Sequence, residues 1–215
     1  MNVVQPPNAV FFIGLIIYFW IRHVFINRTK PEKKTIRRVD AIERILLGTM
    51  IPAVLLLPLL YLFTPLLTFA DYHLAWFIRW SGVAVMLASL WLFWRSHVDL
   101  GQNWSVSLEV RENHELISNG VYRLVRHPMY ASIWLWGIAQ GMLLENWLAG
   151  WATLPAFAAM YFIRTPREER LMIETFGESY RQYSAQTGRV FPRLIRAAEQ
   201  SQALESEAGS DSKAS

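Results

Sequence analysis

The chain has 215 residues, of which 53% are apolar, a formal net charge of +4 and no cysteine. The lack of cysteine excludes disulfide bonds and thiolate metal sites. The apolar residues are gathered into long runs, which favours a compact membrane protein over one large soluble domain.

Several apolar runs approach the roughly 20 residues that a helix needs to cross a bilayer. In chain order they are 9–26, 45–69, 74–94, 130–144 and 147–163. The last two are short and are separated by Glu145-Asn146, which predicts a helical hairpin. Because backbone groups in lipid must be bonded within their own segment, we predict an all-α integral membrane protein with about five transmembrane helices.

Basic residues are concentrated after the first, third and fifth runs, whereas the loop between the second and third holds Asp71, Tyr72 and His73. The positive-inside rule therefore predicts a multi-pass protein with its N-terminus outside and its C-terminus in the cytoplasm. The net positive charge is explained by this topology and by contact with anionic headgroups, so no nucleic-acid partner is expected. We expect the protein in a bacterial inner membrane.

Composition divides the chain into three parts. Residues 1–95 hold the first three spans, and residues 96–196 hold the hairpin together with a C-terminal amphipathic helix. Residues 197–215 are mainly Ser, Glu and Ala with almost no large apolar residue, which predicts a disordered tail.

Local signals predict structure in the polar stretches. We expect a juxtamembrane helix from Pro31 onward, and the alternating apolar residues of 106–110 indicate a short extended segment. Asn119-Gly120 signals a tight turn.

The polar stretch after the fifth run predicts a cytoplasmic helix. It begins with Pro166, a residue suited to the first helical position, and acidic residues follow in the first turn. Met172, Phe176, Tyr180 and Tyr183 recur at helical spacing, so the helix has an apolar face that packs against the membrane domain.

Two polar edges of the hairpin suggest a ligand site at the membrane surface. Arg126-His127-Pro128-Met129-Tyr130 leads into the fourth run, and Arg164-Thr165-Pro166-Arg167-Glu168-Glu169 ends the fifth. Each edge has an ordinary explanation as well, because Arg and Tyr often anchor helices at headgroups and acids favour a helix N-terminus. The chain has no glycine-rich phosphate-binding motif and no His–Glu cluster with metal-ligand spacing, so no metal site is predicted.

Linked motifs from about residue 100 to residue 192 make the chain resemble the isoprenylcysteine carboxyl methyltransferase family of integral membrane enzymes. In order they are Leu100-Gly101-x-x-Trp104-Ser105, His114-Glu115-Leu116-Ile117, Gly120-Val121-Tyr122, Arg126-His127-Pro128-x-Tyr130, Glu168-Glu169, Phe176-Gly177-Glu178-x-Tyr180-x-x-Tyr183, Thr187-Gly188-Arg189 and Pro192.

The resemblance implies that S-adenosylmethionine binds in a cytosol-facing pocket capped by the C-terminal helix, while a lipophilic or lipidated substrate comes from the bilayer. It also implies a substrate contact for Arg164 and no residue acting as acid or base. The residues it assigns to the cofactor are His114, Glu115, Leu116, Ile117, Tyr122, His127, Pro128, Met129, Tyr130 and Glu168.

The residue types agree with that chemistry. Glu168 suits the ammonium or ribose of the cofactor, and aromatic faces favour its sulfonium. Arg164 suits a substrate carboxylate, which it can hold with two parallel hydrogen bonds. The predicted reaction is an in-line methyl transfer to a lipophilic carboxylate.

Other functions stay open. The acceptor could instead be a phospholipid amine or a small thiol. An NADPH-dependent membrane reductase is a second class, although such sterol reductases carry an asparagine and a Gly-Asp pair that residues 127–132 lack. A non-catalytic membrane protein is a third. The acceptor, the oligomeric state and whether the 130–163 hairpin crosses the bilayer are left undecided by the sequence.

Overall fold

The computed structural model describes residues 2–28, 34–37, 41–101, 109–111 and 116–193. A π-helical segment, Pro52–Leu56, joins the second and third α-helices, and 3-10 turns occupy Asn2–Val4, Thr68–Ala70 and Gly120–Arg123. The α-helices of the described residues are α1 Pro6–Arg28, α2 Ala41–Ile51, α3 Leu57–Phe63, α4 Trp76–Leu100, α5 Pro128–Leu144, α6 Trp147–Trp151, α7 Thr153–Phe176 and α8 Glu178–Gln186. Two short strands, β1 Lys34–Arg37 and β2 Glu109–Arg111, form an antiparallel pair.

Among the residues that the structure describes, three helical stretches are long and apolar enough to cross a membrane: Pro6–Arg28, Arg44–Phe63 and Trp76–Leu100. Only 28% of each stretch is buried inside the protein, so most of its apolar surface faces outward, as a lipid-facing surface should. The prediction of a helical integral membrane fold is confirmed. The total of about five spans stays a prediction.

The predicted hairpin is confirmed, and its turn lies at the expected break. Glu145 leaves α5 with a positive φ of 47°, and Asn146 caps α6 by accepting hydrogen bonds from the N–H groups of Leu148 and Ala149. The arms come very close, since a Cβ placed on Gly150 would lie 3.1 Å from the Cα of Gly141. Small residues therefore permit the tight packing of α5 against α6, as in other membrane helix pairs.

A buried polar cluster holds this end of the hairpin against the start of α4. Arg79 forms a 3.0 Å ion pair with Glu145, whose other oxygen accepts a 2.7 Å hydrogen bond from the N–H of Leu74. Asn146 donates to the carboxylate of Asp71 at 2.8 Å. These contacts lie at the end of the helices opposite to the two motifs that suggest a ligand site.

A second buried polar group ties α5 to the π-helical segment. In this segment the N–H of Leu57 bonds to the carbonyl of Pro52, five residues earlier, and Pro58 has no N–H for the carbonyl of Ala53. The side-chain amide of Gln140 donates to that carbonyl at 3.0 Å, and the hydroxyl of Thr153 lies 3.1 Å from it. The hairpin thus supplies the partner that the proline removes.

We expect replacement of Gln140 by leucine to lower the free energy of unfolding by about 1–3 kcal/mol, because the Ala53 carbonyl and the Trp136 indole N–H lose a buried partner. Thermal unfolding in detergent measures the effect. As the control, Ile138→Ala changes an exposed position of the same helix and should shift the midpoint far less. A Gln140→Leu variant as stable as the parent protein would contradict this role.

Two local predictions were wrong. Residues 34–37 do not continue a helix from Pro31: they form β1, where β-branched Thr35 and Ile36 suit a strand and β2 supplies the partner. Pro166 does not begin a helix but lies inside α7. Within α7 this proline removes one backbone hydrogen bond and crowds the carbonyl of Phe162, four residues earlier on the exposed side of the helix.

The C-terminal part of the described chain otherwise follows the sequence patterns. Gly177, at φ 55°, ends α7, and α8 follows directly. In the predicted apolar stripe, Tyr180 is buried, and Met172, Phe176 and Tyr183 are half-buried. The predicted turn at Asn119-Gly120 leads into a 3-10 turn. Most of the extended segment predicted at 106–110 and the whole predicted tail, 197–215, lie outside the described residues.

Candidate functional site

The candidate site lies where α5 begins and α7 leaves the apolar part of the protein. Here residues 187–193, which we call the strap, cross the start of α5. The N–H of Arg126 donates to the carbonyl of Gly188 at 2.8 Å, and the N–H of His127 donates to the carbonyl of Arg189 at 2.8 Å. Val190 of the strap packs against the apolar cluster of α2, α5 and α7. The strap therefore closes one side of the site.

The two polar edges predicted from the sequence meet around His127. Its Nδ1 lies 3.5 Å from Oε2 of Glu168, and its Nε2 lies 3.4 Å from Oε1 of Glu169. Arg164, one turn before Glu168 on α7, has its Nε 3.5 Å from Oε1 of that residue. The helical spacing of four residues places Arg164 and Glu168 on one face of α7.

Glu169 is the most strongly bonded carboxylate of the site. Arg126 reaches its Oε1 with Nη2 at 3.0 Å, and Arg189 of the strap donates to both oxygens, at 3.1 and 2.7 Å. Burial raises the pKa of this carboxyl, but hydrogen bonds from His127, Arg189 and Arg126 outweigh burial and bring its pKa down from 4.5 to about 2. Glu169 is therefore ionised at neutral pH and holds the strap to α7.

Arg126 also connects the site to the C-terminal helix. Its Nη1 donates to the carbonyl of Ser184 at 2.9 Å and to the carbonyl of Thr187. These carbonyls belong to the end of α8, where helical carbonyls lack partners and a positive charge is favourable. Arg126 thus ties the start of α5, the end of α8 and Glu169 together.

Glu168 is bonded more loosely than its neighbour. Its contacts with His127 and Arg164 are both 3.5 Å long, whereas charge-assisted hydrogen bonds are typically ~2.7–2.9 Å. Its side chain is 24% exposed, against 13% for Glu169. Glu168 therefore keeps acceptor capacity for a ligand, and Glu169 has already used most of its own.

An aromatic wall stands directly behind the charged groups. The rings of His127 and Tyr130 are stacked, with centroids 5.3 Å apart and planes within 7°. Tyr130 in turn meets Phe157 at 5.8 Å and Tyr161 at 5.9 Å, edge to face, and Trp134 packs on Phe157 at 5.1 Å. Charge on one side and aromatic rings on the other suit an amphipathic ligand at a membrane surface.

The segment before α5 contributes a further buried tyrosine. Tyr122 is buried, and its carbonyl accepts a 2.6 Å hydrogen bond from the hydroxyl of Tyr183 on α8. Burial raises the pKa of both hydroxyls, to about 12 for Tyr183, so both are neutral at physiological pH. Leu116 and Ile117 are half-buried.

The structure brings together most of the described residues that the sequence assigned to the site. His127, Tyr130, Arg164 and Glu168 lie side by side, and Pro128 and Met129 form the first turn of α5 beside them. Tyr122 joins the group through Tyr183, since α8 also bonds to Arg126. His114 and Glu115 lie outside the described residues. Their assignment to a cofactor, like that of the whole set, stays a prediction.

Sequence reasoning missed the roles of Arg126, Glu169 and Arg189. All three lie inside the motifs that carried the resemblance, but spacing along the chain does not show that a residue of the strap and one of α7 share a carboxylate. The only available signal was opposite charge within adjacent motifs. In the part of the chain that the structure describes, no cluster of three or more His, Asp or Glu side chains could hold a metal ion.

The lowered pKa of Glu169 makes part of the stability acid-sensitive. Because its pKa is lower in the folded protein than its ordinary 4.5, its contribution is present above that pH and is lost as the pH falls toward about 2. We therefore expect Glu169→Gln to lower the unfolding midpoint at pH 7, with the difference from the parent protein shrinking as the pH falls from 4.5 toward about 2. Thermal unfolding at several pH values tests this, and a difference independent of pH would contradict it.

These features define a helical membrane protein with a charged site beside an aromatic wall. The family model "Isoprenylcysteine carboxyl methyltransferase (ICMT) family" matches residues 80–174, which include Tyr122, His127, Arg164 and Glu168. A solved structure of the eukaryotic intramembrane Ras methyltransferase ICMT aligns with a TM-score of 0.56 at 23% identity, covering 90% of this chain and 70% of that one. At this identity the likeness concerns the fold.

Two relatives illustrate the range of similar proteins. The "Probable protein-S-isoprenylcysteine O-methyltransferase" of Oryza sativa subsp. indica is 27% identical over 123 residues, 56% of this chain and 64% of the relative. The "Cobalt-zinc-cadmium resistance protein CzcN" of Cupriavidus metallidurans is 34% identical over 120 residues, 54% of this chain and 55% of the relative. The chain thus spans less than two thirds of either relative.

Residues 80–174 match the model of the isoprenylcysteine carboxyl methyltransferase family, and the resemblance inferred from the sequence motifs is confirmed.

Proposed function

We propose that this protein is a membrane methyltransferase that uses S-adenosylmethionine to methylate a lipophilic acceptor, with a carboxylate of the isoprenylcysteine type as the favoured acceptor. One observation carries the proposal: His127, Arg164 and Glu168 form a charged group against an aromatic wall at the membrane surface. The name of the rice relative supplies the reaction, and the family region contains these residues.

The residues present fit S-adenosylmethionine, which carries an ammonium, a carboxylate, ribose hydroxyls and a sulfonium. Glu168 has the free acceptor capacity that an ammonium or a ribose hydroxyl needs. The stacked rings of His127 and Tyr130 offer aromatic surface to a cation. Tyr122, Leu116 and Ile117 would line the remaining, more apolar side.

When bound, S-adenosylmethionine supplies a methyl group activated by its positively charged sulfur. Arg164 is suited to hold the acceptor carboxylate by two parallel hydrogen bonds. A carboxylate is already ionised at neutral pH, so the reaction needs no general base from the protein. The task of this chain is to align the two reactants and to keep water away, and the aromatic wall and the strap serve the second purpose.

Calorimetric titration of the detergent-purified protein with S-adenosylmethionine and with NADPH tests the proposal. We expect binding of the methyl donor alone, and at least about tenfold weaker binding by His127→Ala and Glu168→Ala, because each loses a partner of the charged donor. Glu178→Ala is the matched control, since it removes an exposed carboxylate of α8. Absence of donor binding in the parent protein, or binding of NADPH, would overturn the proposal.

The second arm of the experiment identifies the acceptor. Transfer of a labelled methyl group is measured with an S-prenylated cysteine carboxylate, with phosphatidylethanolamine and with a small lipophilic thiol. Arg164 leads us to expect transfer to the carboxylate. Preference for the amine or the thiol would keep the methyltransferase class and replace the acceptor, an outcome of interest because the CzcN relative is named for metal resistance and not for prenylcysteine.

A further inference from the structure

A buried aspartate at the end of α4 is oddly placed for a membrane helix. Asp99 is the residue before the last of α4, and only 8% of its side chain is exposed. A negative charge is unfavourable at a helix C-terminus, because the last carbonyl groups already carry partial negative charge there. Burying a carboxylate also costs free energy unless the carboxylate is paired or hydrogen-bonded. Such a residue needs a structural reason, and its contacts provide one.

Asp99 joins α4 to the turn that carries Tyr122. One carboxylate oxygen pairs with Arg95, one helical turn earlier, at 2.6 Å. The other accepts a 2.9 Å hydrogen bond from the backbone N–H of Val121. Arg95 offsets the charge within the helix, so the bond to Val121 is the contact that reaches another part of the chain.

The turn is shaped to receive this carboxylate. Gly120 has a φ of 56°, which favours glycine, and a Cβ at this position would lie 2.1 Å from Oδ2 of Asp99. A side chain at Gly120 would therefore displace the carboxylate even if the backbone could adopt the angle.

The same turn is held from its other side by the C-terminal helix. The hydroxyl of Tyr183 on α8 donates to the carbonyl of Tyr122 at 2.6 Å, and the Tyr122 hydroxyl lies 3.4 Å from the carbonyl of Ser96 on α4. The turn is thus fixed between a membrane helix and α8, which also bonds to Arg126 beside His127. Its position decides where Tyr122 meets the candidate donor site.

We propose that Asp99 is a positioning residue for methyl-donor binding: it holds the 120–123 turn, and through it Tyr122, in the place that the donor requires. The proposal rests on the proposed function. Asp99 does not itself reach the charged group around His127, so its effect falls on affinity for the donor and not on the methyl-transfer step.

The test combines donor titration with steady-state kinetics on the full chain. We expect Asp99→Ala to raise the Kd and the KM for S-adenosylmethionine about tenfold or more, with kcat at saturation within about threefold of the parent protein. Asp99→Asn keeps an oxygen for the Val121 N–H and should restore most of the affinity. Asp71→Ala, which removes a carboxylate bonded to Asn146 at the opposite end of the helices, is the control and should leave the donor KM unchanged.

A second variant keeps the proposal testable if Asp99→Ala does not fold. Tyr183→Phe deletes one oxygen and releases the turn from the α8 side, so it should also raise the donor KM while leaving kcat nearly unchanged. Equal donor affinity in both folded variants and the parent protein, or a loss of kcat with no change in KM, would overturn the proposal. If the parent protein itself fails to bind S-adenosylmethionine, the proposed function fails first, and the inference fails with it.

Discussion

Replacement of Arg164 by methionine is expected to lower kcat/KM for a carboxylate acceptor by about 10²–10³-fold, because removing one partner of a buried charge pair typically costs a few kcal/mol. Arg164 is only 8% exposed and lies beside Glu168, so its guanidinium is already held where charge is costly and water is scarce. An acceptor carboxylate reaching this position would form a charge pair with this guanidinium. Methyl transfer to an S-prenylated cysteine carboxylate measures the loss.

The conservative variant and the control separate charge from geometry. Arg164→Lys keeps the charge but not the planar pair of donors, and we expect it to retain activity about tenfold below the parent protein. Arg170→Met removes an exposed arginine from the same helix and should leave kcat/KM unchanged. The donor KM should stay within about threefold in every variant, because Arg164 is assigned to the acceptor. If the donor KM rose as much as the acceptor KM, the assignment of Arg164 to acceptor binding would be contradicted.

The membrane helices could be predicted because their signal is local. Run length and apolar content alone decide whether a segment can cross a bilayer, and α1 and α5 lie close to their predicted ranges. The helices α4 and α7 run past their predicted ends, to Leu100 and Phe176. Pro58 shows where such local reasoning ends. The partner of the carbonyl that it leaves without a helical N–H is Gln140, which is far away in the sequence and is identified only by the packing of the hairpin.

The polar segments were predicted less well because their structure depends on distant partners. Residues 34–37 form a strand only because residues 109–111 lie beside them. Proline is a frequent helix-start residue, yet α7 runs through Pro166 and has one backbone hydrogen bond fewer there. At both places the local preference is not followed, and at residues 34–37 the reason is the pairing with a strand far away in the sequence.

The site residues could be predicted in type but not in arrangement. The motifs identified His127, Arg164 and Glu168, and residue chemistry suggested what each could bind. The sequence does not show that Glu169 forms ion pairs with Arg126 and Arg189, whereas Glu168 can still accept hydrogen bonds from a ligand. Adjacent carboxylates on one helix differ in role because only one of them faces the strap, and that difference comes from the fold.

The strap leads to the second large effect, which we expect from Gly188→Ala. A Cβ on Gly188 would lie 1.8 Å from the carbonyl oxygen of Phe191 and 3.0 Å from the backbone nitrogen of Arg193, so the strap backbone must move. That movement breaks the 2.8 Å hydrogen bond from the Arg126 N–H to Gly188 and disturbs the next one, from His127 to Arg189. We expect donor affinity to fall about 10²-fold. The reason is that the two backbone hydrogen bonds and the contact of Arg189 with Glu169 hold the strap over this side of the site.

Calorimetry with S-adenosylmethionine measures that loss, and trypsin cleavage at Arg189 and Arg193 reports directly on opening of the strap. The control is Gly48→Ala on α2, where an added Cβ meets no atom within 4 Å, so neither donor affinity nor cleavage should change. Because Gly188 lies outside the helices of the hairpin, Gly188→Ala should leave the hairpin folded, and circular dichroism checks this. Faster cleavage with unchanged donor affinity would show that the strap opens without taking part in binding, and the strap would then lose its assigned role in closing the site.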